Sequence, residues 1–240
     1  MATTHDHDTD LLGASCCTPA TGADLDSLEE AETSQILSEM QEQEIAPEVA
    51  ALRSAGFELL LEHGQPVDQA TWASRAGVDE ATLADVLTRV QNRGRVELDD
   101  EGRLLGLAGL TIRPTRHRLD IAGEERWTWC ALDALGIFGA LAANGTVYST
   151  DPSTGEDIEI SFTGGVPGGD ASLFILGGHG DVNVKDTWCP KVNFFNSRHD
   201  AESWVEAHEL EGEIVSAARI AEQAADMWRP VVDISNPQVC

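Results

Sequence analysis

Two residues that seldom share a buried helix stand three positions apart in RWTWCALDALGIFGAL, residues 126–141: Cys130 and Asp133. Past Arg126, Asp133 carries the single charge of the stretch, and from Trp129 to Leu141 every other residue is apolar or glycine. Burial on most sides is expected, where an unpaired carboxylate costs several kcal/mol or takes up a proton. Read as one helix over 129–141, the pair lies at i and i+3, on one face with Cβ atoms about 5–6 Å apart, so both side chains can act on one atom. A buried Asp has its pKa raised, which keeps it protonated near neutrality and able to donate a proton, and a neighbouring thiolate pushes the same way. The thiolate itself is a soft ligand that selects thiophilic metals over Ca²⁺ or Mg²⁺. Spacing alone decides little, because a cysteine in an apolar helix is in most cases a small core residue. The buried charge is what sets this pair apart.

The elements that must position such a pair follow from the rest of the pattern. Residues 1–26 are polar and aperiodic and read as a disordered acidic tail; the tail holds His5, His7, Cys16 and Cys17, either a loose soft-metal trap or incidental ligands. Apolar residues recur every three or four positions over Leu28 to Met40 and Pro47 to Glu62, and the following segment reads as helix, turn, helix and hairpin. Asp79 suits the N-cap of the second of those helices and Asp99 to Gly102 the hairpin turn. Residues 27–110 thus resemble a winged helix. Its would-be recognition helix carries Asp79, Glu80 and Asp85 against Arg89 alone, the wrong sign for phosphates. A structural or substrate-covering module is the expectation.

Beyond Ile112, strands are expected at Thr146 to Tyr148, Asp157 to Phe162, Leu173 to Leu176 and Glu213 to Ser216, and helices over Asp200 to His208 and Ala217 to Trp228. Cys189 should sit beside an apolar strand. The glycine-rich TGGVPGGD, Thr163 to Asp170, lacks the lysine and the strand-to-helix setting of a phosphate loop, and is either a flexible cover or a connection. The fold class expected is α+β: a helical winged-helix-like N-terminal module followed by a mixed α/β core with a small sheet.

Composition bounds the partners. The 240 residues carry a net charge of −27, with 42 acidic residues against 15 basic ones. That charge repels nucleic acid and anionic membranes and suits a salt-rich cytoplasm, where self-repulsion is screened; an ordinary acidic protein is the plainer reading. The longest apolar run is too short to span a membrane and the acidic start is no signal peptide, so a soluble, cytoplasmic protein is expected. Five cysteines at irregular spacing, with no CxxC pair, suggest free thiols rather than a disulfide framework or a closed structural zinc site.

WTWCALDALGIF, followed 59 residues after Cys130 by the cysteine of WCPKVNFFNS, resembles the organomercurial (alkylmercury) lyase family, over roughly Ser27 to Trp228. The resemblance implies that Cys130 and Cys189 are the mercury-binding thiols and Asp133 the acid, and that residues 111–240 form the catalytic α+β domain of that type. It implies carbon–mercury protonolysis to a hydrocarbon and Hg(II), with no bound cofactor and a small exogenous thiol for turnover. Cellular thiols and mercuric reductase are the implied partners, with no role for nucleic acid or membrane. No cysteine lies between Cys130 and Cys189, where many members have an additional structural one; Cys16, Cys17 and Cys240 lie outside the motif, as relays of Hg²⁺ or incidental thiols. Trp127, Trp129, Trp188, Phe194 and Phe195 are near enough in sequence to line an apolar site, or are simple core residues. Two other readings stay open: a non-catalytic thiophilic-metal binding protein, and a winged-helix metal sensor.

Overall fold

The computed structural model describes residues 46–178 and 183–232. The expected tail, the helix over Leu28 to Met40, and Cys16, Cys17 and Cys240 lie outside the described residues. Pro47 opens α1 (Pro47–His63), where a missing N–H costs nothing. Helix α2 (Gln69–Ala76) follows, then α3 (Glu80–Val90), capped by Asp79, whose Oδ1 accepts the Thr82 backbone N–H at 2.7 Å. Arg89 is engaged with Asp85 at 2.9 Å.

Next come β1 (Val96–Leu98) and β2 (Leu104–Leu107). Asp99 shapes the turn between them, its Oδ1 accepting the backbone N–H groups of Glu101 and Arg103 at 3.0 and 2.8 Å. The chain continues through β3 (Leu110–Thr111), β4 (His117–Ile121), β5 (Glu124–Thr128), α4 (Ala131–Leu141), β6 (Gly145–Thr150), β7 (Asp157–Thr163) and β8 (Val166–Pro167). It ends with β9 (Ser172–Leu176), β10 (Asn193–Phe195), α5 (Arg198–Ala207), β11 (Gly212–Ser216) and α6 (Ala217–Trp228).

Every strand pairing is antiparallel. One sheet runs β1-β2-β3-β5-β4-β6-β7-β8 and a second runs β10-β9-β11. The architecture is α+β, but the first sheet has eight strands, not the small sheet expected. The difference lies in HRLDI and EERWT: β4 and β5 put charges on their open face, which hides the apolar alternation. There Arg118 pairs with Glu125 across the strands and stacks over the Tyr148 ring at 4.2 Å. The strands on both sides of residue 110 belong to this one sheet. The helices before it are tied in by buried Arg126 on β5, whose guanidinium donates to the Leu60 and Leu61 carbonyls at the C-terminal end of α1.

Helix α4 is the centre of the core. All its residues except Gly139 are buried, and α6 packs along it. Leu132, Leu135, Ile137 and Phe138 are fully enclosed, each contributing about 1.5–3 kcal/mol by leaving water. The helix begins at Ala131, two residues later than the sequence suggests, because Arg126 to Thr128 are claimed by β5 and the Trp129 N–H by the Gly109 carbonyl at 2.9 Å.

Candidate active site

That later start changes how Cys130 and Asp133 meet. Cys130 is the extended N-cap of α4 and Asp133 its third residue, in a capping-box arrangement: the Cys130 N–H donates to Asp133 Oδ2 at 2.9 Å. The single charge in the apolar stretch is therefore placed at a helix N-terminus, where the dipole favours it. Cys189 arrives from the other side, beginning a 3₁₀ turn after the wide turn Val184–Trp188. The Ala131 N–H donates to the Val192 carbonyl at 3.1 Å and so ties the two segments together.

Among the described residues, Cys130, Asp133 and Cys189 bring one ligating atom each within 4.8 Å of one another. All three are buried, at 0, 6 and 2% exposure, and both cysteines are free thiols. Burial pushes Asp133 up to about 6, against the hydrogen bonds from the Cys130 thiol and N–H and the charge of Arg95. Burial also drives Cys130 well above its ordinary value, helped by the Cys189 thiol and Asp133. For Cys189 the hydrogen bond with Cys130 pulls downward, and burial and Asp133 outweigh it, leaving a raised value. Burial thus leaves two thiols of raised pKa beside a carboxyl whose midpoint is lifted toward neutrality, the direction expected from its place in the apolar stretch.

A cavity of about 360 Å³ opens onto this cluster. Asp133 and Cys189 lie on its wall with Trp72, Trp129, Trp188, Trp228 and Arg95, while Cys130 lies behind them. Of the aromatics the sequence offered, Trp129 and Trp188 line it and Trp127, Phe194 and Phe195 do not. Strand alternation explains the misses: Trp127 of β5 stands opposite Arg118 of β4 and Thr111 of β3, Phe194 sits edge-on to His117 at 5.8 Å, and its neighbour Phe195 faces a separate small core with Phe174 and Trp204. The Thr163 to Asp170 segment forms the β7–β8 hairpin and is absent from the cavity wall. Trp72, Trp228 and Arg95 were not anticipated, since each reaches the wall by long-range packing that leaves no local pattern.

Fold and site together define an α+β protein that presents two thiols and a carboxyl to an apolar cavity, a setting for soft-metal chemistry. The alkylmercury lyase family (MerB) matches residues 110–229. An alkylmercury lyase of Bacillus cereus is 32% identical over 149 residues, covering 55% of this chain and 67% of that relative. One from Staphylococcus epidermidis is 32% identical over 155 residues, covering 62% and 69%. The crystal structure of the mercury-bound form of MerB2 shares the fold, with a TM-score of 0.73 at 22% identity over 84% of this chain and 98% of that one. The chain belongs to the alkylmercury lyase family, a family of enzymes acting on organomercurials. No helix among the described residues is long and apolar enough to cross a membrane.

Proposed function

We propose that this protein cleaves the carbon–mercury bond of organomercurials by protonolysis, with Cys130 and Cys189 as the mercury-binding thiols and Asp133 as the proton carrier. The observation that carries the reading is the convergence of two free thiols and one carboxyl within 4.8 Å, with Cys189 and Asp133 on the wall of an apolar cavity.

The steps follow from which groups hold protons. Cys189, on the cavity wall, meets the substrate first: its sulfur bonds to mercury and its proton leaves on the small thiolate that carried the organomercurial in. The Cys130 thiol then gives its proton to the Asp133 carboxylate and its sulfur becomes the second donor on mercury. Two thiolates feed electron density toward the carbon, and Asp133 returns the proton to it. The products are R–H and Hg(II) held by both sulfurs. Asp133 suits this double duty because a midpoint of about 6 leaves it able to accept and to release a proton near neutrality.

Residues 27–110 serve as a winged-helix-like cover and 111–240 as the catalytic segment, although one sheet runs through both; the covering role is supported by Trp72 and Arg95 of the first segment, which stand on the cavity wall. Small cellular thiols deliver the substrate and remove Hg(II), mercuric reductase receives it, no bound cofactor takes part, and the setting is the cytoplasm.

The test is headspace analysis for methane from methylmercury incubated with the protein and excess small thiol in molar KCl. Several turnovers of methane, lost in Cys130→Ala, are expected. Folded protein that binds methylmercury and releases no methane sinks the proposal in favour of a non-catalytic metal binder.

A further inference from the structure

Two turns of the eight-stranded sheet share a sequence and a backbone. Ala108–Gly109 joins β2 to β3 and Ala122–Gly123 joins β4 to β5, with φ of +50° and +85° in the first and +56° and +84° in the second. Both positions lie at positive φ, as the tightest hairpins require. What lies against them differs. A Cβ on Gly123 would meet nothing within 4 Å, whereas one on Gly109 would fall 2.2 Å from Asp133 Oδ1 and 2.3 Å from its Cγ.

The Gly109 turn is also held from two sides. The Ala108 carbonyl accepts the Trp228 indole N–H at 2.8 Å, and the Gly109 carbonyl accepts the Trp129 backbone N–H at 2.9 Å. Both tryptophans line the cavity, so the turn cannot withdraw without moving its walls. On its far side the carboxyl is fixed as well, by the Oδ2 bond from the Cys130 N–H at 2.9 Å. An atom added at position 109 must therefore displace the carboxyl.

We propose that Gly109 is a positioning residue for the reaction: its bare Cα, pressed against Asp133 Oδ1, fixes the direction in which the carboxyl faces the two sulfurs. The inference rests on the proton-carrier reading of Asp133. It places a determinant of the chemistry one residue before the segment that matches the family.

Gly109→Ala and Gly123→Ala impose the same backbone strain, and only the first intrudes on Asp133. With methylmercury and excess thiol, Gly109→Ala should lower kcat about 100-fold while KM stays within about twofold, the scale expected for a catalytic group displaced by an ångström. Gly123→Ala should leave both unchanged. Equal kcat in the two variants would overturn the proposal, as would a loss in Gly109→Ala that appears wholly in KM.

A thermal double-mutant cycle reads the same contact without turnover. The Tm lost through Gly109→Ala should be clearly smaller in an Asp133→Gly background, where Oδ1, Cγ and the Cβ at 2.7 Å, the three nearest atoms, are all gone. An identical loss in both backgrounds overturns the proposal. Wild-type protein that releases no hydrocarbon would instead sink the lyase reading, and the cycle would still decide whether Gly109 sets the carboxyl in place.

Discussion

Among the described residues two buried ionisable clusters stand apart, and the cavity of about 360 Å³ is lined by members of one and not of the other. Cys130, Asp133 and Cys189 converge within 4.8 Å, with Asp133 and Cys189 on a cavity wall shared with four tryptophans and Cys130 behind them. His117 and Ser149 are nearly as enclosed, at 2 and 6% exposure, with Ser149 Oγ 2.9 Å from His117 Nδ1. Burial, with the charge of Arg116, pushes His117 down to about 3. The fully buried Asp151 next along the chain does not join them, for its carboxylate holds the Ser153 and Asn196 backbone N–H groups, each at 2.8 Å. A displaced pKa is thus common to both clusters and is not what marks the site. What differs is access to a cavity and a pair of groups with opposite demands for a proton.

The largest expected effect is on turnover. Cys189→Ala should reduce hydrocarbon release to background while the far-UV circular dichroism stays native, whereas replacing His117 with Asn should leave kcat within about twofold. A His117 variant as inactive as Cys189→Ala would erase the distinction between the clusters.

The next effect is on pH dependence. A carboxylate that must accept a thiol proton stops doing so once protonated, so kcat should fall as pH drops through about 6. A rate that rises toward pH 5 would contradict that role.

The clusters should also pull stability in opposite senses. For Asp133 the folded value of about 6 exceeds the ordinary 3.8, so the native state holds the extra proton between them and stability is lost as pH rises through that window. For His117 the folded value of about 3 lies below the ordinary 6.5, so the unfolded state binds the extra proton and stability is lost as pH falls from 6.5 toward 3. Each contributes a slope of about 1.4 kcal/mol per pH unit. Between pH 3.8 and 6 they oppose each other. Relative to wild type, Asp133→Asn should make urea-measured stability fall more steeply on acidification, and His117→Asn should make it rise. Parallel profiles for all three proteins would refute the assignment.

Smallest is Ser149→Ala, which strips the histidine of its buried partner. A cost of about 1–3 kcal/mol with unchanged turnover is expected, read from the denaturation midpoint.

The same contrast explains how much was legible in the sequence. Cys130, Asp133 and Cys189 stand out because a charge in an apolar run and two motif cysteines are local signals. The order of helices and of strands β6, β7, β9 and β11 follows apolar periodicity. Strands β4 and β5 escape it, because Arg118, Asp120 and Glu125 put charge on one face while Glu124 and Arg126 interrupt the apolar pattern on the other. The helix start is misplaced because nothing between Arg126 and Cys130 marks where β5 ends. Gly109, Arg95 and Trp228 acquire their places only through folding, and their neighbours in sequence say nothing of Asp133.

The central claim is that Asp133 carries the proton while the sulfurs carry the mercury. Its most direct test is a single-turnover assay of Asp133→Asn loaded with methylmercury, following bound mercury and released methane together. Stoichiometric mercury capture with methane release slowed about 10²–10⁴-fold is predicted. Methane released at the wild-type rate would contradict the account.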